Sequence, residues 1–246
     1  MREIGWSHWP VLDADQMREV DRVMIEELHV SLLQMMENAG RNLAWLAIER
    51  FAPSRVVVLA GGGGNGGGGL AAARHLVNHG VDVEVRGLAA ELVDATRRQR
   101  DILRAMGVDA TSPDVPTRGA DLVIDAMVGY SLRGDPRGVV ADQIAWTTTQ
   151  PAPVLALDVP SGFDATSGQL RTAHVTATAT LTLAAPKRGL DVCGAAGEIY
   201  VGDISVPSHV YERFGSVVAP SFGGDWVVRV LPAADTEPQH DGVEVT

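Results

Sequence analysis

Residues 56–76 read VVVLAGGGGNGGGGLAAARHL: a β-branched run, eight glycines around one asparagine, Asn65, and a helix former. This stretch restricts the fold more than any other. A spacer of this composition would separate domains. Here the glycines join a buried-type strand, RVVVLA, to its own crossover helix, which is the start of a βα unit. Glycines at such a junction let backbone N–H groups approach an anion at a helix N-terminus. Asn65 reads either as one more turn residue or as an amide oxygen offered to a ligand or cation.

The same alternation runs on. VDVEVRG gives a second strand, and ELVDATRRQRDILRAMG a second long helix. Gly80 and Gly107 sit where helix C-caps are expected. DLVIDAMVG and PVLALDVPSG are strands that end on an aspartate and a turn, and VTATATLTLAAP and GEIYVGDISVP add later strands. Before all of these, residues 13–49 carry apolar residues at helical spacing, with Asp13 as N-cap and a methionine-rich stripe that reads as core packing. Strands alternating with helices predict an α/β fold. It is a three-layer α/β/α sandwich around a mostly parallel, Rossmann-like sheet, with an N-terminal helical extension. The 246 residues fit one such domain, expected over 1–225, followed by a polar tail over 226–246.

Composition narrows the function classes. The formal charge of −11, without a basic stripe, argues against nucleic acid as partner. No segment approaches the roughly 18 apolar residues of a membrane span, and the N-terminus lacks a signal-type apolar run, so the expected location is cytoplasmic. The single cysteine, Cys193, has no intrachain partner and no neighbouring base.

In an open parallel sheet, ligands bind beyond the carboxyl ends of the strands, at the switch in strand order. Asn65, Asp125, Asp158 and Ser161 all follow such ends. Each aspartate reads as a turn cap or as a ligand or catalytic carboxylate. Oxygen donors from Asn, Asp and Ser suit a hard cation. Asp164 reads as a turn residue, and His75 and His79 as packed surface histidines. Lys187–Arg188 reads equally as a phosphate contact or a solvated pair. Glu84 stands where a ribose-binding acid would, which keeps a dinucleotide dehydrogenase open, although no Tyr is followed by Lys four residues later. The Walker A and Gly-x-Ser-x-Gly patterns are missing.

Several motifs, in order over about residues 13–210, resemble the YjeF N-terminal domain family, the NAD(P)H-hydrate epimerases. They are MENAG at 36–40, GGGGNGGGGLAAARHL, DLVIDAMVGYSLRGDPRG, LALDVPSGFDATSG, TLAAPKRGL and GEIYVGDISVP. The resemblance implies an isomerase that interconverts the R and S forms of hydrated NADH or NADPH in cofactor repair. It implies Asp158 as catalytic carboxylate, and a potassium ion held by Asn65, Asp125 and Ser161. Substrate contacts would come from Gly63, Gly64, Asn65, Gly66, Gly67, Gly68, from Gly129, Tyr130, Ser131, Leu132, Arg133, Gly134 and Asp135, and from Asp158. It also implies a homodimer and a dehydratase acting as a separate protein. The chain departs from the family pattern at Gly62, Gly64 and Gly68, where the family has Pro, Asn and Asp. A repurposed enzyme acting on another ring-bearing substrate, or a non-catalytic binding module, are the rival readings.

Overall fold

The computed structural model describes residues 1–88, 91–110, 119–215 and 222–231. Ten strands are present among them: β1 (Glu3–Gly5), β2 (Arg55–Ala60), β3 (Asp82–Arg86), β4 (Leu122–Ala126), β5 (Val154–Leu157), β6 (Phe163–Asp164), β7 (Gln169–Leu170), β8 (Ala179–Leu183), β9 (Glu198–Gly202) and β10 (Val227–Leu231). The helices are α1 (Ala14–Arg22), α2 (Leu32–Phe51), α3 (Gly64–Asn78), α4 (Asp94–Ala105), α5 (Val139–Thr147) and the short α6 (Ser208–Glu212).

Eight strands form one sheet in the order β1-β10-β9-β8-β5-β4-β2-β3, and β6 and β7 make a separate hairpin. All neighbours pair in parallel except β10 with β9. This is the mostly parallel α/β sheet that the alternating pattern predicts. β2 shows why both faces are covered. Val56, Val58 and Ala60 point into a core shared with α2, α3 and α4, while Val57 and Leu59 point into one that contains Ile144 of α5. A strand with period-2 side chains and two apolar faces needs helices on each. The chain leaves β2 for β3 on one side, then returns to lay β4, β5, β8 and β9 on the other. The switch in strand order therefore lies between β2 and β4.

The helical stretch expected over 13–49 is two helices. α1 starts at Asp13 with a capping box closed by Gln16, and runs into a π-helical turn at Val23–Glu27. His29 then takes a left-handed φ of 57°, and Ser31 caps α2 with a second box closed by Gln34. The spacing looked continuous because both helices bury residues in one core, where Met17, Val20 and Met24 meet Met35 and Ala39. At the far edge, residues 227–231 belong to the sheet as β10, between β9 and β1, and are not part of a tail. Residues 232–246 lie outside the described residues. Gly80 and Gly107 both adopt left-handed φ just after their helices, as expected of caps.

Candidate active site

The glycine run is mostly helix. α3 begins at Gly64, so Gly64 to Gly69 form its first turns and only Gly61 to Gly63 link it to β2. Most of these glycines exist for packing. A Cβ on Gly61 would lie 2.0 Å from the Met127 carbonyl oxygen, on Gly66 1.8 Å from that of Gly61, on Gly67 2.4 Å from Met36 Cε, and on Gly69 2.4 Å from Ala126 Cβ. Among the described residues, a Cβ on Gly63 would meet nothing within 4 Å, and one on Gly64 only Met36 Cε at 4.0 Å. The expectation that the run exposes backbone to an anion is thus confined to the helix start. There Gly63 caps α3 without any side-chain bond, which leaves first-turn N–H groups unsatisfied. Thr96 of α4 holds the Gly63 carbonyl at 2.8 Å.

A cavity of about 270 Å³ opens at the switch point. Its wall includes Gly64, Asn65, Gly68, Gly129, Tyr130, Ser131 and Asp158. Gly63, Gly66, Gly67, Leu132, Arg133, Gly134 and Asp135 are not part of that wall, and Arg133, Gly134 and Asp135 are exposed. Three methionines, Met17, Met35 and Met36, line the cavity together with Leu157 and Leu183, so the stripe read as plain core also forms a ligand-facing wall.

Asp158 follows β5 directly and holds a φ of 71°, a left-handed angle that costs a non-glycine residue about 1–3 kcal/mol. Its amide donates to the Leu181 carbonyl of β8 at 2.7 Å, which fixes the turn. One carboxylate oxygen, Oδ2, accepts from the Tyr130 amide at 2.8 Å. The other lies 2.5 Å from Nζ of Lys187, whose side chain is fully buried. Lys187 also donates to Thr182 Oγ1 at 3.1 Å, the Leu183 carbonyl at 2.7 Å and the Ala185 carbonyl at 3.1 Å. It is therefore neither a solvated residue nor a phosphate contact, but the buried counter-ion of Asp158. Arg188 points the other way, to Asp13. Gly129 marks where the parts meet: a Cβ there would lie 2.7 Å from Asp158 Oδ2 and 3.2 Å from Asn65 Oδ1.

Asp125 sits on β4 beside Leu59 and Ala156, with no exposure to solvent. It accepts from Ser161 Oγ at 2.6 Å, Ser161 N at 2.7 Å and Met127 N at 3.2 Å. Burial pushes its carboxyl up to about 6 against these bonds, and no basic side chain among the described residues offsets it. A buried carboxylate without a cationic partner, next to a hydroxyl, suits a cation of low charge. Among the described residues, Asn65 Nδ2 is buried without a hydrogen-bond partner, so this amide has a donor to spare for an acceptor atom of a ligand, while a cation would take its Oδ1. Among the described residues, no three His, Cys, Asp or Glu side chains cluster as metal ligands.

Asp21 of α1 was not singled out by sequence. It lines the cavity and accepts the Tyr130 hydroxyl at 2.6 Å. The available signal was an acid on an apolar helix face, four residues after Met17 and three before Met24. Other residues fall where sequence placed them. Asp164 accepts the Thr166 amide in a turn at 2.9 Å, and His75 pairs with Glu37 at 2.8 Å. Glu84 is held by Arg55 and Arg86 rather than waiting for a ribose.

A family model described as YjeF-related protein N-terminus matches residues 32–189. The chain belongs to this YjeF-related family. It is 48% identical over 207 residues to the NAD(P)H-hydrate epimerase of Dehalogenimonas lykanthroporepellens, covering 81% of this chain and 83% of that protein. It is 36% identical over 228 residues to the bifunctional NAD(P)H-hydrate repair enzyme Nnr of Salinibacter ruber, covering 83% of this chain but only 42% of that longer relative. A crystal structure of the yeast protein ynu0 superposes with a TM-score of 0.76 at 21% identity, over 89% of this chain and 99% of that one, which shows a shared fold.

Proposed function

We propose that this chain epimerises hydrated NADH or NADPH, interconverting the R and S forms at the hydroxyl-bearing ring carbon. The observation that carries the reading is the convergence of Asp158, Asn65 and Gly129 on one cavity, in a chain 48% identical to a named epimerase. At about 270 Å³ the cavity is smaller than the roughly 300–1,000 Å³ of whole-ligand pockets, so it takes the ring end of the dinucleotide. Met36, Leu157 and Leu183 give the ring apolar walls. The uncapped start of α3 offers N–H donors to the diphosphate.

Asp158 is the group that accepts and returns the hydroxyl proton. Lys187 and the Tyr130 amide hold its two oxygens, and the left-handed turn aims it at the cavity mouth between Gly129 and Asn65. Asn65, Asp125 and Ser161 fit a potassium ion by donor type and by the uncompensated buried charge. When bound, that ion supplies fixed positive charge at the sheet edge. The reading extends to a homodimer acting in the cytoplasm beside a separate dehydratase that consumes one epimer. No helix among the described residues is long and apolar enough to cross a membrane.

The test uses separated R and S hydrates incubated with the protein in potassium buffer. Interconversion well above the spontaneous rate is expected, and a rate equal to the protein-free control would overturn the reading.

A further inference from the structure

An epimerase that works by opening the ring handles two protons. In the hydrated ring, the carbon that bears the hydroxyl is also bonded to the ring nitrogen. Opening that bond removes a proton from oxygen and places one on nitrogen. Asp158 accounts for the first. The Tyr130 side chain points to the second, because its backbone amide is bound to Asp158 and its hydroxyl to Asp21. One tyrosine thus holds two carboxyl groups a side chain's length apart, and all three residues line the same cavity.

We propose that Asp21 is the second proton-carrying group of this site, acting as the acid to Asp158's base and held in place by the Tyr130 hydroxyl. The inference rests on the epimerase reading. The two carboxyls differ in their surroundings, which is how acid and base roles are separated within one site. Asp158 has a buried lysine beside it. Asp21 has the Tyr130 hydroxyl instead. Burial holds its carboxyl above the ordinary range and the charge of Asp158 adds to this, while the Tyr130 bond and the more distant Lys187 oppose it.

The step balances. Asp158 takes the hydroxyl proton, and the oxygen's electron pair forms a C=O double bond. The C–N pair returns to nitrogen, which receives the Asp21 proton. Rotation of the freed aldehyde presents its other face. Nitrogen then attacks, its proton goes back to Asp21, and Asp158 gives its proton to the oxygen. Both carboxyl groups finish as they began, so the cycle runs equally in either direction.

The test measures kcat and KM for interconversion in the parent protein and in Asp21→Asn, Tyr130→Phe and the double variant. Asparagine has the shape of a protonated aspartate and can still accept the Tyr130 bond, so the fold is kept, which thermal unfolding checks. We expect Asp21→Asn to lower kcat by about a hundredfold or more while KM moves by less than about threefold. We expect Tyr130→Phe to lower kcat by about tenfold, and the double variant to be no slower than Asp21→Asn, because the tyrosine acts through the aspartate. Asp21→Glu should recover part of the loss. If Asp21→Asn keeps kcat within about threefold of an active parent, or if the two losses multiply, this inference alone is overturned. A parent that leaves both hydrates unchanged overturns the epimerase reading and this inference with it.

Discussion

Gly66 occupies a place where a methyl group has no room, since the obstacle, the Gly61 carbonyl oxygen, is backbone and cannot rotate away. Gly66→Ala should therefore destabilise the protein by about 1–3 kcal/mol, read from urea unfolding. Gly64→Asn should stay within about 0.5 kcal/mol, since its Cβ would meet only Met36 Cε at 4.0 Å. Equal effects at the two positions would refute the view that the glycines serve packing. Asp158 adds a second contrast. Asp158→Asn suits the left-handed backbone but strands the buried Lys187 charge. It should abolish interconversion and cost about 3–5 kcal/mol of stability, and adding Lys187→Met should restore much of the stability but none of the activity. Retained stability in the single variant would mean that Lys187 does not depend on Asp158.

At the scale of elements, helices and strands are joined by specific side chains as well as by apolar area. Arg50 near the end of α2 binds Glu198 at the start of β9 through both carboxylate oxygens, at 2.9 and 3.0 Å. The Arg50 bond, assisted by the Tyr200 hydroxyl, holds Glu198 down at about 2. A carboxylate depressed in the folded state contributes stability above its ordinary value of 4.5, and loses it as pH falls toward about 2. Arg50→Met should therefore flatten the decline in stability between these limits, as followed by thermal unfolding across pH. An unchanged acid limb would show that the contact is electrostatically idle. The break between α1 and α2 belongs to the same scale. The Ser31–Gln34 box marks it in the sequence, although the apolar spacing runs on through both helices.

For the molecule as a whole, the sheet order brings Asn65, Asp125 and Ser161 from three separate crossings to one edge, and a cation bound there would stabilise the fold by linkage. At a hundred times its Kd it adds about 2.7 kcal/mol. Replacing potassium with tetramethylammonium should lower Tm in the parent but not in Asp125→Asn, and equal Tm values for the parent in both salts would remove the cation from the site. The amino-acid sequence by itself determined the α/β alternation, the strand ends at Asp125 and Asp158, the α3 crossover after β2, and the helix caps at Asp13, Gly80 and Gly107. These depend on periodicity and backbone preference, which act over a few neighbouring residues. Tertiary structure alone decided that Lys187 is buried against Asp158, that most of the glycine run is packed helix, that 227–231 complete the sheet, and that Asp21 meets Tyr130 across 109 residues of chain. A buried charge or a crowded glycine is defined by the atoms that surround it, and those arrive from distant segments only when the sheet closes.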